Sequence, residues 1–428
     1  MSLNVKWKHA AVESGGSSCG GAITNNDIRT GVAQNLFPDI DEDTRIDGWE
    51  LYRKAFCRPE GADPFANGWV YQNRISEGDD YFLTHIGTAQ DTQLEASAYS
   101  EWAGAGELAA SANVGASSFI AEFEAANTIF DASMMFLHNR ENGKYERLVL
   151  AESGGVAWDD TEATLTAASA VTQYAYPVKT RAGMTGTETE TFSLDGTYLT
   201  FRVDGAYTFT VSFTSAHTTA SLVAAAINGA ASGVTGCEIT AGDDAGRVVI
   251  THDLYYKHHT FQIIAGDAVS ELGFDTDIHT GSDGTVVACG VPVGTLEAEV
   301  SGVTMTVAAS GGSFNNSLYP ILGDPNGAGT VGDSWTVTFT SSTEISISGA
   351  LCGVVYTGPI TNNIAPAHWG GVYFIIPKEG WTGSFATGDT LIFDTAGRYA
   401  GVWVKNIGPA ACGRQSPNRF GLKAVWDY

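Results

Sequence analysis

Between Tyr198 and Phe274 the spacing of apolar residues changes period, and the changes outline a small folding unit. Tyr198-Leu-Thr-Phe-Arg-Val203 and Tyr207-Thr-Phe-Thr-Val-Ser-Phe213 alternate aromatic or β-branched residues with polar ones, which is the period of a half-buried strand. Asp204-Gly205-Ala206 separates the two runs, and Asp-Gly favours a hairpin turn. The period then lengthens. Thr218 or Thr219 is placed to cap a helix through Ser221–Asn228, which Gly229 or Gly233 ends. Leu222, Ala226 and Ala230 share one stripe of that helix, with Val223 and Ile227 beside it. Strands are predicted again at Cys237–Thr240, Arg247–Thr251 and Thr260–Ile264, with a closing one at Leu272–Phe274. The pattern predicts a strand–strand–helix–strand–strand module in which one helix face covers one sheet face.

Outside this stretch period two dominates. Runs at Leu3–Trp7, Leu51–Cys57, Gly68–Asn73 and Tyr81–Ile86 fit an antiparallel sandwich, and Pro59 ends or edges its strand. Ser133–Leu137, Glu146–Leu150 and Val171–Tyr176 lead into the module. The last third predicts strands at Leu296–Val307, Ser334–Phe339, Glu344–Ile347, Gly371–Ile376, Asp389–Phe393 and Ala400–Lys405. The alanine- and serine-rich stretch 95–128 leaves two alternatives, a short helix at Ser118–Asn127 or a loop wrapping a neighbour. Asp275–Gly284 reads as a polar linker. The expected fold is mostly β: a multidomain antiparallel β-sandwich architecture with a small inserted α+β module. The expected domains are an N-terminal sandwich over 1–182, the inserted module over 183–278 and a C-terminal β domain over 279–428.

Val203-Asp-Gly205, Thr210-Val-Ser-Phe213, Val223–Asn228, Gly246-Arg-Val-Val-Ile-Thr251 and Leu272-Gly-Phe274 together resemble a small domain of flagellar hook-associated proteins and tailed-phage structural proteins. There it decorates a polymerising scaffold. Two further stretches resemble the ends of a group of tailed-bacteriophage virion proteins. The first carries Asn35-Leu-Phe37, Gly48, Tyr52-Arg53, Phe56 and Trp69-Val70, and departs from the group at Arg58-Pro-Glu60, where Lys-Asn-Thr is usual. The second runs Gly380-Trp-Thr-Gly-Ser-Phe-Ala-Thr-Gly-Asp-Thr-Leu-Ile-Phe393, then Val402-Trp-Val-Lys405 and Pro409-Ala410. The resemblance implies a virion structural protein without catalysis. It would be a repeated part of the tail apparatus (tube-associated, baseplate or fibre-attaching), with capsid decoration as the alternative. Its expected partners are copies of itself, as a homo-oligomer within the particle, and other virion proteins.

Composition changes the picture mainly through charge. Charged residues make up 16% of the chain, against roughly 25% in an average soluble protein, so Ser, Thr, Asn and Gly must form much of the surface. Lys and Arg number 22 against 48 Asp and Glu, giving −26 at pH 7. That field repels phosphate backbones and anionic lipid, so neither nucleic acid nor membrane insertion is expected. No segment approaches the ~20 apolar residues of a membrane helix. The first residues lack the apolar core of a signal peptide, so synthesis in a host cytoplasm is expected, and the resemblance to phage virion proteins implies residence in the virion. The 6 cysteines are scattered without a Cys-x-x-Cys pair; most read as free thiols, with cross-linking of some outside the reducing cytoplasm as the alternative.

The best candidate for ligand chemistry is an acidic turn. Asp39, Asp41, Asp43, Asp47 and Glu50 fall at the first, third, fifth, ninth and twelfth positions of a calcium-loop template, although Thr44 stands where glycine is wanted and Pro38 argues against an entering helix. A solvated acidic turn is the expected state and a structural calcium the alternative; no other cofactor is expected. His258-His259 reads as an exposed loop pair. Asp79-Asp80, Asp159-Asp160 and Asp243-Asp244 are adjacent, and neighbours in a strand face opposite ways, which makes a poor glycosidase dyad. The Gly-rich loop Ser14–Gly21 lacks a phosphate-binding lysine, and no Gly-x-Ser-x-Gly elbow occurs. The protein is therefore not expected to be an enzyme. The rival from another class is a carbohydrate-binding or depolymerising adsorption protein, using some of the 10 Trp and 16 Tyr.

Overall fold

The computed structural model describes residues 5–13, 16–29, 35–60, 65–76, 80–234, 237–307, 311–325, 329–368, 371–410 and 420–427. The chain is mostly β, built from several antiparallel sheets in a multidomain β-sandwich fold. It divides into two compact units: Ala105–Ala288, and Met1–Gly104 together with Cys289–Tyr428.

In the discontinuous unit, Trp49–Pro59 is the middle strand of five, ordered Gly20–Asp27, Val5–Val12, Trp49–Pro59, Ala400–Gly408 and Tyr81–Gly87. Its second half and most of Ala400–Gly408 are buried on both faces. Their near-continuous apolar runs suit a central position better than an edge. The register runs antiparallel from Trp49↔Gly408 to Cys57↔Ala400. A three-stranded sheet, Val291–Leu296, Phe65–Arg74 and Gly421–Asp427, shares a core with it through Cys57, Phe65, Val70, Leu296, Val402 and Trp426. The expected split between 1–182 and 279–428 thus does not separate sheets, because both segments pair strand to strand. Periodicity locates strands but says nothing of their partners.

The same unit holds a second five-stranded sheet, ordered Glu299–Thr306, Thr390–Ala396, Asp333–Phe339, Glu344–Gly349 and Gly353–Pro359. Trp335, Phe339, Phe374 and Phe393 fill its core. The predicted Gly371–Ile376 strand is split into two short ones, Gly371–Val372 and Phe374–Ile375, each pairing with a different partner.

The continuous unit contains a seven-stranded sheet in the order Val156–Asp159, Glu162–Thr166, Ser118–Phe123, Ala105–Leu108, Thr285–Cys289, Met134–Asn139 and Tyr145–Val149. Ser118–Phe123 is a strand, neither helix nor loop: Phe119, Ala121 and Phe123 point in while Ser118, Ile120 and Glu122 point out. Val171–Tyr176, predicted as a strand, makes only the isolated bridge Ala112↔Tyr176. Glu146 accepts hydrogen bonds from the Thr172 backbone N–H and hydroxyl at 2.8 Å each, so a side chain takes a donor that a ladder would have used.

The inserted module follows its predicted order but has two sheets rather than one. One is Arg181–Thr185, Arg247–Tyr255 and Ile239–Asp244; the other is Tyr207–Ser212, Tyr198–Val203, Thr260–Ala265 and His279–Thr280. Both share a core with the helix Ala220–Ser232, N-capped by Thr219. The helix buries Ala220, Val223, Ala224, Ile227 and Ala231, and Leu222 is 46% exposed. The buried stripe is therefore the Val223–Ile227 one. Asn228 fixes that orientation by donating to Ala241 O at 2.9 Å and accepting from Ala241 N–H at 2.7 Å. Leu272–Phe274 is no strand: Val269–Leu272 forms a helical turn that ends at left-handed Gly273, where a Cβ would meet Thr187 Oγ1 at 2.1 Å.

Candidate functional site

The acidic turn is the first place to look. Its middle is a short helix, Glu42–Asp47, with Asp41 as N-cap accepting from Thr44 N–H at 2.8 Å. That hydrogen bond holds the Asp41 carboxyl below the ordinary carboxylate range. A calcium loop must wrap its backbone around the ion. Here the helix strings Asp43 and Asp47 along exposed surface, and Asp39 and Asp41 are exposed too. Glu50 lies on the strand Trp49–Pro59, where it pairs with Lys405 Nζ at 3.0 Å and accepts from the Tyr52 hydroxyl. The five carboxylates of the alternative calcium reading do not converge.

A different trio does. Among the described residues, the His, Cys, Asp and Glu ligand atoms that gather three together within 4.8 Å are those of Asp204, His252 and His259. Asp204 occupies the predicted hairpin turn with φ 50°, followed by left-handed Gly205. Its Oδ1 accepts from Thr260 N–H at 2.8 Å, and its Oδ2 lies 3.2 Å from His259 Nδ1. His252, fully buried on Arg247–Tyr255, brings Nε2 to 3.2 Å from Asp204 Oδ1 without an aligned hydrogen bond. The exposed pair expected at 258–259 is thus divided: His258 is exposed, whereas His259 turns in towards the carboxylate.

Tautomer chemistry decides what the trio can do. Leu254 N–H donates to His252 Nδ1 at 3.0 Å, so Nδ1 carries a lone pair and the ring proton of neutral His252 sits on Nε2. A metal needs a free nitrogen lone pair on that side, and here the proton occupies it. Burial pushes His252 below the ordinary histidine value, partly opposed by Asp204. The trio accordingly works as a clasp, tying the turn after Tyr198–Val203 to the start of Thr260–Ala265.

A second polar cluster had no motif to announce it. Glu107, 2% exposed, receives Arg140 Nη1 at 3.2 Å, Lys179 Nζ at 2.6 Å and the Tyr256 hydroxyl at 3.2 Å. Arg140 also lies 4.9 Å above the Tyr256 ring. These groups come from the seven-stranded sheet, the module's entry and a module loop.

Of the adjacent carboxylates, Asp243-Asp244 serves a turn. Asp243 accepts from the Ser221 hydroxyl and Gly246 N–H, both at 2.8 Å, and Asp244 pairs with Arg247. Asp79 lies outside the described residues, and Asp80 accepts from Asn406 Nδ2 at 2.7 Å. Trp335 and Trp403 are fully buried, and Trp102 and Trp426 belong to apolar cores. Cys19, Cys57, Cys237, Cys289 and Cys352 are free thiols, and Cys412 lies outside the described residues. No helix among the described residues is long and apolar enough to cross a membrane. No protein-family model, curated protein or solved structure matches this chain.

Proposed function

We propose that the chain is a structural protein of a tailed-bacteriophage virion, present in repeated copies in the tail apparatus and acting through contacts between chains rather than through catalysis. The observation that carries this reading is a sheet edge that no strand covers among the described residues. Gly353–Pro359 is the outermost strand of its sheet, paired to Glu344–Gly349, and it exposes 68% of Val354 beside Leu351, 55% exposed. Such an edge offers unpaired N–H and C=O groups together with apolar area, the two things a neighbouring strand needs. The phage-like motifs at Asn35–Phe56 and Gly380–Phe393 support the particle, and the polar clusters above are occupied by structural hydrogen bonds.

A net charge of −26 per copy opposes association. Contacts between copies should therefore strengthen with salt, which screens surface charge over about 10 Å at 0.1 M. Microscopy and quantitative mass spectrometry of purified particles should find the chain in multiple copies around a symmetry axis on the tail. Copies on the head would move it to capsid decoration. A protein missing from particles and monomeric at every salt concentration would end the reading.

A further inference from the structure

Lys54 and Asp91 form a buried pair that no surface role explains. Lys54 lies on the strand Trp49–Pro59 with its side chain wholly buried, and Asp91, its side chain 3% exposed, precedes the short helix Gln93–Ala96. Nζ stands 2.5 Å from Asp91 Oδ1, yet Oδ1 has no aligned hydrogen bond. The other oxygen is held differently. Oδ2 accepts from the Tyr99 hydroxyl at 2.5 Å and from Trp403 Nε1 at 2.8 Å. Glycines close the chamber: a Cβ on Gly87 would lie 2.7 Å from Asp91 Oδ2, and one on Gly401 2.9 Å from Lys54 Cε. Phe56 and Trp403 place their rings 4.9 and 5.8 Å from Nζ.

The geometry points to an intramolecular isopeptide bond, formed without any other protein between Lys54 Nζ and Asp91 Cγ. The resting form is the ion pair. Moving one proton from Nζ to Oδ1 gives a neutral amine beside a neutral carboxylic acid, which a dry site favours relative to water. The amine lone pair then attacks Cγ. Oδ2 takes the developing negative charge, already faced by two donors in the manner of an oxyanion hole. Collapse breaks the Cγ–Oδ1 bond, and Oδ1 leaves as water, taking a second proton from the nitrogen. No oxidant or cofactor enters the balance: ammonium plus carboxylate become one amide and one water. Two fixed side chains meeting inside a fold also have the high effective concentration that such a condensation requires. Burial drives Lys54 below its ordinary value, towards the nucleophilic form; on Asp91 burial pushes upward but is outweighed by Lys54, Tyr99 and Trp403.

The test is the intact mass of the purified full chain. It should lie below the 45.0 kDa sequence mass by one water. Trypsin should fail to cut after Lys54, and a branched peptide should join Lys54 to Asp91. Lys54→Arg, which keeps the charge but cannot form the amide, should show the full mass. Wild-type chain that keeps the full sequence mass after long incubation at neutral pH, with both peptides unlinked, overturns the proposal. So does a water loss that persists in Lys54→Arg and maps to an Asp-Gly step such as Asp204-Gly205.

Discussion

Glu107 shows how much a single side chain carries here. Glu107→Gln keeps the shape but leaves Arg140 and Lys179 facing a neutral amide in a site where Arg140 is 5% exposed. Removing the charged partner of a buried ion pair costs about 3 kcal/mol, so urea unfolding should show a loss of that size. His252 acts through protons. The unfolded chain binds one near the ordinary value of 6.5, and burial makes the folded ring resist it. Stability from this group is therefore complete above that pH and is lost as pH falls below it. The urea midpoint of the module should drop between about pH 7.5 and 5.5, and His252→Gln should flatten that dependence. Sequence made little of this visible. Asp204 was legible as a turn residue, but its meeting with His252 and His259 depends on strand register, and Glu107 lies 149 residues from Tyr256. The acidic turn was legible as acid; its helix was not, because Asp41 serves equally as ligand or N-cap.

At the scale of elements, local pattern was far more informative. The hairpin at Tyr198–Ser212, the helix and the strands at Arg247–Tyr255 and Thr260–Ala265 stand where alternation and capping place them. Failures came where two chemistries fit one run. Ser118–Phe123 contains the helix formers Ala121 and Glu122 in a period-two order, and the order decided. The helix stripe was misplaced by one position, since alanines on every side make the faces nearly equal. Val223 is fully buried and Leu222 is half-exposed, so Val223→Ala should cost about 2 kcal/mol in thermal unfolding and Leu222→Ala close to nothing. Equal effects would mean that the helix is rotated from the orientation Asn228 fixes.

For the whole molecule, what sequence could not supply was partnership between distant segments. The module illustrates a simple insertion: Thr180 and Ser282 exchange backbone hydrogen bonds at 3.2 and 3.1 Å, so the chain leaves and returns at one point. Replacing 181–281 by a short glycine linker should leave a folded protein by circular dichroism, with reduced stability from the loss of Tyr256 on Glu107. The sheet centred on Trp49–Pro59 is the opposite case. Its neighbour Ala400–Gly408 is made long afterwards. At ribosomal speeds of about 5–20 residues per second, the first of these strands waits on the order of tens of seconds for the second. Throughout that interval the nascent chain presents an open edge through its future core. Translation arrested before residue 400 should therefore yield chains that bind chaperones or aggregate, and this sheet should commit to its final form only once Ala400–Gly408 has been made.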